Sequence, residues 1–303
     1  MERTELSHTV ILTAFPSAAH ASRWASEMAK LYNRNCLEIM REMQDKSVDC
    51  IVTDPPYGIA FQSNSAKVKR YDVIHGDDDF DLLPYFAEML RITKDGGAIY
   101  LYTRWDIAYE WQKIIEPDSQ IVIPRGRVGM GDLDDYADEY EVILFKRIGS
   151  HAINATALKI PNNSHAKNPP KYKVRIGNIW SELVSNEAWE RAEHPTQKTV
   201  SSYAKMIQVS TNIGATVFDP FMGSGSSGVA CVQHGRSFIG CEIDPKYFAV
   251  AERRIKQAEQ QPALWHEAQQ SVHLTASGAG GRGQNPLQSS FIADDPSAKH
   301  GGR

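Results

Sequence analysis

The sequence predicts a doubly wound mixed α/β fold, and three segments carry that prediction. An apolar strand, Val48–Thr53, runs straight into Asp54-Pro55-Pro56-Tyr57. A second buried strand, Ala215–Asp219, runs into Pro220-Phe221-Met222-Gly223-Ser224-Gly225-Ser226-Ser227-Gly228 and then into a helix beginning near Val229. A third, Ser237–Cys241, delivers Glu242 at its end. Open α/β sheets place their ligands at the carboxyl ends of such strands.

In chain order, residues 1–30 form a lead-in with a short helix over Ala18–Ala29. Residues 31–148 make a first half: a strand near Leu31, a helix across Cys36–Met43 and the strand ending at Asp54. Gly58–Asp79 is polar and lysine-bearing, without a clear period, and reads as a loop that orders over substrate. Asp81–Ile92 has helical spacing, with Leu82, Leu83, Phe86, Met89 and Leu90 on one face. Asp95-Gly96-Gly97 breaks that helix before the strand Ala98–Tyr102. A helix over Asp106–Ile115 follows. Gln120–Val128 and Glu139–Arg147 then pair around an acidic loop at Asp132–Asp138 and complete the sheet.

Residues 149–190 are rich in Asn, His, Lys and Pro and show no sustained period. Residues 191–260 make the second half, with helices over Thr199–Val209 and Pro245–Gln257 around the glycine turn. Residues 261–303 turn to Gln, Gly, Ser and His and read as a disordered tail.

Composition bounds the function. At 303 residues, with 42% hydrophobic residues, the chain can make one large α/β domain with an inserted or appended piece. Cys36, Cys50, Cys231 and Cys241 have no metal-ligand spacing and read as small buried residues in a reducing, cytoplasmic compartment. No metal site, signal peptide or membrane span is expected. The net charge of −4 excludes a uniformly nucleic-acid-coating protein. Its distribution is uneven: Val142–Ser181 contains no Asp or Glu but carries Lys146, Arg147, Lys159, Lys167, Lys171, Lys173 and Arg175. Phosphate binding depends on such local positive surface.

The tetrapeptide is built to point acceptors. Each proline fixes its own φ and biases its predecessor toward extended backbone, so the carbonyls of Asp54 and Pro55 are held in set directions. A carboxylate, two rigid rings and an aromatic side chain there suit a planar heterocycle bearing an amino group. Read alone, the same four residues equally suit a strand-ending turn with Tyr57 packed over it. Downstream, Gly223, Gly225 and Gly228 let a ligand approach the backbone, and Glu242 can accept both hydroxyls of a ribose. That pattern also satisfies the dinucleotide fingerprint, so a NAD-binding module remains a rival on the glycines alone.

Asp219-Pro220-Phe221 ahead of the glycines, Asp54-Pro55-Pro56-Tyr57 upstream and His194-Pro195-Thr196-Gln197-Lys198 between them discriminate. From about Leu31 to about Ile255 the chain resembles the amino DNA methyltransferases of the beta group, whose catalytic half precedes the cofactor half. The resemblance implies a Rossmann-like S-adenosylmethionine-dependent methyltransferase sheet, with residues 149–190 as target-recognition region. It implies site-specific methylation of the exocyclic amine of adenine, on a base flipped out of double-stranded DNA. Alternatives are the amine of cytosine, an RNA or protein amine, and a nucleotide-binding regulator without turnover.

In this family Asp54, Pro55, Pro56 and Tyr57 are catalytic, and Asp54 also borders the cofactor. Phe221, Gly223, Ser224 and Gly225 line the methionine and ribose region, Glu242 holds the ribose, and Thr196 and Lys198 reach the cofactor carboxylate. Asp219 orders the loop or meets the methionine ammonium. Asn35 and Cys36 face the adenine end, with Asn35 replacing the family's usual Asp. Thr199 stands where the family has proline and can cap the next helix instead. Lys159, Lys167, Lys171, Lys173 and Arg175 are the expected DNA contacts. A homodimer and a cognate restriction enzyme are further partners the resemblance admits. No Pro-Cys pair is present to attack cytosine carbon five.

Overall fold

The computed structural model describes residues 28–58, 80–124, 139–154, 176–181 and 197–260. Seven strands form one sheet: β1 (Ala29–Tyr32), β2 (Val48–Thr53), β3 (Thr93–Thr103), β4 (Ser119–Pro124), β5 (Tyr140–Arg147), β6 (Thr216–Asp219) and β7 (Ser237–Cys241). Their order is β1-β7-β6-β2-β3-β5-β4. The first five are parallel, whereas β5 runs antiparallel to β3 and β4 antiparallel to β5. This is the mixed, doubly wound sheet the sequence predicts.

Alternation along each strand builds two cores. Cys50, Val52, Tyr100, Tyr102, Val217 and Phe238 face one side. They pack against α4 (Val200–Ser210), α5 (Ser226–Gln233) and α6 (Pro245–Glu259). Ile51, Ile99, Leu101 and Phe218 face the other, against α1 (Cys36–Glu42), α2 (Leu82–Ile92) and α3 (Trp105–Ile115). Burying a side chain of this size stabilises by about 1.5–3 kcal/mol. The buried hydroxyls find partners: Tyr102 donates to Ser202 Oγ at 2.7 Å, and Tyr100 shares a 2.7 Å bond with Ser210.

Local chemistry sets the helix starts. Asn35, Asp81, Thr199 and Asp244 each accept a backbone N–H as N-cap. Thr199 therefore does cap α4, through a 3.3 Å bond from the Ser202 N–H. All four cysteines are buried and free.

Two expectations need correction. Leu83 and Leu90 of α2 are exposed, 57% and 39%, and Ile92 completes the buried stripe instead. They lie one residue beyond Leu82 and Met89, about 100° around the helix from the face that meets the sheet. Asp95-Gly96-Gly97 does not separate helix from strand, because β3 begins at Thr93 directly after α2. The two glycines carry an irregularity inside the strand: β2 steps from Val48 to Cys50 while its partner steps from Thr93 to Ala98. Gly96 has φ +84°, and a Cβ on Gly97 would lie 2.7 Å from the Asp49 carbonyl oxygen. Part of the segment after residue 149 pairs with the sheet. Ile179 bridges Val122, and the Val122 N–H and carbonyl bond Asn178 O and Trp180 N at 2.8 and 2.9 Å. Trp180 is buried under Lys205 Nζ, 4.3 Å from its ring centre, so this stretch covers the β4 edge.

The helix over Ala18–Ala29, the loops around residues 59–79 and 125–138 and the tail from 261 lie outside the described residues, except that Ala29 opens β1.

Gly228 gives a direct test of the α5–α6 packing. A Cβ there would lie 2.4 Å from Ile255 Cδ1 and 2.8 Å from Phe238 Cε1. Gly228→Ala should cost about 1–3 kcal/mol in denaturant unfolding. Combined with Ile255→Val, which deletes Cδ1, the loss should be less than the sum of the two single losses. Simple additivity would show that the site relaxes without meeting Ile255.

Candidate active site

β2 and β6 are neighbours, yet the helix after β2 leads to β3 on one side and the helix after β6 leads to β7 on the other. Between them lies the point where the winding reverses, and a crevice opens there. Both Asp-Pro turns, Asp54-Pro55 and Asp219-Pro220, sit at this carboxyl edge.

Asp219 is fully buried. Its Oδ1 accepts from Thr53 Oγ1 at 2.7 Å and from the Phe221 N–H at 3.0 Å, and its Oδ2 accepts from Ser227 Oγ at 2.6 Å. The carboxylate thus ties β2, the turn and α5 together. Burial pushes its pKa up to about 7 against the pull of these donors.

Gly223 and Gly225 occupy left-handed backbone, φ +50° and +80°. Glu242 is clamped against them: Oε2 accepts from the Gly223 N–H at 3.0 Å and Oε1 from the Asp244 N–H at 2.8 Å. Burial raises its pKa. Asn33 Nδ2 donates to the Glu242 and Ile243 carbonyls at 2.8 and 3.1 Å, fastening β1 to the same corner. Ser224 is buried, with Oγ and carbonyl accepting from Arg254 at 3.0 and 2.7 Å. Next to this corner, Asn35 spends its side-chain oxygen on the α1 cap, a 2.8 Å bond from the Leu37 N–H. Asn and Asp serve equally there. Cys36 begins the helix as a buried thiol, pushed up to about 12 by desolvation.

On the catalytic side the Tyr57 hydroxyl donates to Asp54 Oδ1. Lys198 Nζ lies 3.4 Å from Asp54 Oδ2 and 3.4 Å from Glu141 Oε1, and 5.0 Å from the ring centre of Tyr102. All three charged side chains are largely buried: 9% exposed for Lys198, 18% for Asp54 and 23% for Glu141. Desolvation raises the Asp54 pKa above the ordinary carboxylate value, and the Lys198 charge and the Tyr57 bond oppose it.

Phe221 carries the turn into an aromatic group. Its ring meets Phe80 edge-on at 5.6 Å and Tyr85 at 5.5 Å. Phe80 lies 6.4 Å from Trp111, which lies 6.0 Å from Tyr57.

The structure therefore gathers Asn35, Cys36, Asp54–Tyr57, Lys198, Asp219, Phe221, Gly223, Ser224, Gly225 and Glu242 along one edge of the sheet. Thr196 and the expected DNA contacts Lys159, Lys167, Lys171, Lys173 and Arg175 lie outside the described residues. Of the other cations in the acid-free stretch, Lys146 donates to the Glu116 carbonyl at 2.7 Å and Arg147 pairs with Asp118 at 2.7 Å. Sequence reading missed Thr53, Tyr85, Trp111 and Glu141. For Glu141 a signal existed: an acid at the start of a strand paired antiparallel with β3 falls at the carboxyl edge.

Asp219 generates a pH prediction. Its folded pKa is raised, so its contribution to stability is full below its ordinary value of 3.8 and is lost as pH rises through about 7. Asp219→Asn should flatten the fall in melting temperature between about pH 5 and about pH 8. Equal falls in variant and wild type would remove Asp219 as the titrating group.

A family model described as DNA methylase matches residues 48–253. The type II methyltransferase M.HpaI of Haemophilus parainfluenzae is 27% identical over 248 residues, covering 75% of this chain and 74% of that protein. The DNA adenine methyltransferase YhdJ of Escherichia coli is 27% identical over 252 residues, covering 77% and 85%. Among solved structures, the M1.HpyAVI-SAM complex has a TM-score of 0.55 at 24% identity, covering 75% of this chain and 99% of that one. The cytosine-N4-specific PvuII DNA methyltransferase has a TM-score of 0.53 at 14% identity, covering 77% and 92%. These structures establish the fold. The family match runs from β2 into α6, taking in both Asp-Pro turns and Glu242, and by it the chain belongs to the N6/N4 DNA methylase family.

Proposed function

We propose that this chain transfers a methyl group from S-adenosylmethionine to the exocyclic amine of adenine at a specific site in double-stranded DNA. The observation that carries the reading is Asp54 at the switch-point edge of β2, beside the glycine turn, with Tyr57 and Lys198 on its carboxylate.

The turn fits the cofactor. A Cβ at Gly223 would meet nothing within 4 Å, so the turn borders open space that a side chain would fill. The clamped Glu242 carboxylate keeps lone pairs for a ribose, and Phe221 offers an apolar wall. Asn35 and Cys36 flank the adenine end and Thr196 is the residue to approach the cofactor carboxylate, whereas Lys198, expected there too, has its ammonium on Asp54 and Glu141. When bound, the cofactor supplies a methyl group on a sulfonium.

The lone pair of an aromatic amine is delocalised into its ring. Asp54 and the Pro55 carbonyl accept the two amine hydrogens and localise that pair on nitrogen, a gain from positioning and electrostatics. The N–C bond forms as the S–C bond breaks with its electron pair left on sulfur, and the nitrogen then sheds one proton to Asp54. Tyr57 stacks on the base, which must leave the duplex to expose its amine. Two considerations support adenine: relatives acting on adenine usually carry Asp or Asn where Asp54 stands, whereas those acting on cytosine's amine usually carry Ser, and YhdJ is named an adenine enzyme.

Digested DNA from a reaction should contain methylated adenine by mass spectrometry, and predominant methylcytosine would overturn the base assignment. Asp54→Ala should lower turnover at least about a hundredfold while cofactor affinity holds. A parallel loss of cofactor binding would make Asp54 structural. Neutralising Lys171, Lys173 and Arg175 together should weaken DNA binding and flatten its salt dependence by roughly 0.9 in log–log slope per lost contact. An unchanged slope would place the DNA elsewhere.

A further inference from the structure

Lys198 approaches two carboxylates at the same distance, 3.4 Å to Asp54 and 3.4 Å to Glu141, and hydrogen-bonds tightly to neither. Glu141 arrives from β5, the antiparallel strand, and meets the Asp-Pro-Pro-Tyr turn through Lys198, whose ammonium bonds Glu141 Oε1 at 3.4 Å. We infer that Glu141 is a positioning residue for methyl transfer: it holds the Lys198 ammonium off Asp54, leaving the Asp54 carboxylate basic enough to take the amine proton. The inference rests on the reading of Asp54 as the group that receives the amine hydrogens.

The physical reason is charge sharing in a buried site. An ammonium fully committed to Asp54 would neutralise it and make it a poor acceptor. With no ammonium nearby, the carboxylate would be protonated more readily and less often available. Sharing the ammonium with Glu141 leaves Asp54 ionised but incompletely paired. When the methylated nitrogen loses its proton to Asp54, that carboxyl becomes neutral, and the ammonium settles on Glu141. Deprotonation of Asp54 after product release restores the shared arrangement, so no oxidant, reductant or further co-reactant is needed.

Other groups face Asp54 and enter the same balance: Tyr57 from its own turn, Tyr102 from β3, Tyr203 from α4 and Asp219 from β6. Beside these, Glu141 and Lys198 differ in sign and share a contact. Glu141 raises the Asp54 pKa and Lys198 lowers it.

The experiment is the pH profile of kcat with DNA and cofactor saturating, for wild type, Glu141→Gln, Glu141→Asp and Lys198→Met, with melting temperatures recorded for each. Glu141→Gln should move the acid limb to lower pH by roughly one unit and reduce the plateau kcat about tenfold. Lys198→Met should move the limb the other way, and Glu141→Asp should restore most of the wild-type profile. A Glu141→Gln enzyme with an unmoved limb overturns the inference, even if kcat falls, because a merely structural loss lowers rate without moving the limb. If Glu141→Gln does not fold, failure of Lys198→Met to raise the limb overturns it equally. Wild-type methylation of DNA with an unmoved Glu141→Gln limb would leave the functional reading standing and remove only this step, whereas no methyl transfer by wild type would remove the functional reading itself.

Discussion

The active edge depends on one buried carboxylate. β2 and β6 are hydrogen-bonded neighbours that lie far apart in the chain, and no loop joins their carboxyl ends. Asp219 makes the join, taking one donor from the end of β2, one from the turn that follows its own strand and one from α5. Burying a carboxylate costs several kcal/mol, and only a full set of donors offsets it. The three donors are drawn from three separate elements, so the cost is met only when all three are in register. Thr53, the last residue of β2, is one of them, and Asp54 follows it directly. The same bonds that make the buried charge tolerable therefore fix where Asp54 begins.

Topology decides what else reaches that edge. The winding reverses between β6 and β2, so α2 and α5 leave on opposite faces and the turns between strand and helix are left facing a common crevice. On the glycine side this brings the Gly223 N–H against the Glu242 carboxylate, a bond between adjacent strand ends that a parallel pair with in-register ends can make. On the catalytic side the contribution comes from β5. Because β5 is antiparallel to β3, its first residues, not its last, lie at the carboxyl edge, where Val142 is paired with Thr103. Glu141 enters the site through this reversal of direction.

That reversal also explains what was legible in the sequence. Residues at the carboxyl end of a parallel strand announce themselves: Asp54 and Glu242 follow their strands directly, Asp219 closes β6 and Phe221 comes two residues later, and each lies where the run places it. Glu141 is the second residue of its strand, and strand direction is a property of pairing that no local window contains. Gly96 and Gly97 were misread for a related reason. Two glycines in a row match a chain break, and only the partner strand shows that they let β3 pass the Asp49 carbonyl without ending. Leu83 and Leu90 have the right spacing for a helix face, but the width of the buried stripe is set by how α2 meets the sheet. Trp180 sits in a stretch without periodicity, and its burial follows from the open edge of β4, which needs a partner for the Val122 N–H and carbonyl.

The aromatic group gives the two halves a second connection at the top of the crevice. Asp219 joins them at strand level through directional bonds, which fix position. Phe221, Phe80, Tyr85, Trp111 and Tyr57 join them above through ring contacts between 4.9 and 6.4 Å, which tolerate small displacements. The chain of rings runs from the glycine turn to Tyr57, so the walls beside the two Asp-Pro turns are continuous. Its central member, Phe80, lies beside Gly58, 3.5 Å from Phe80 N to a Cβ built on that glycine. Gly58 directly follows Tyr57, so the tyrosine is held at three points: its hydroxyl on Asp54, its ring toward Trp111 and its following residue against Phe80. A ring constrained in this way has little conformational entropy left to lose to any ligand that stacks on it, and rigid anchoring of that kind improves recognition without adding contacts.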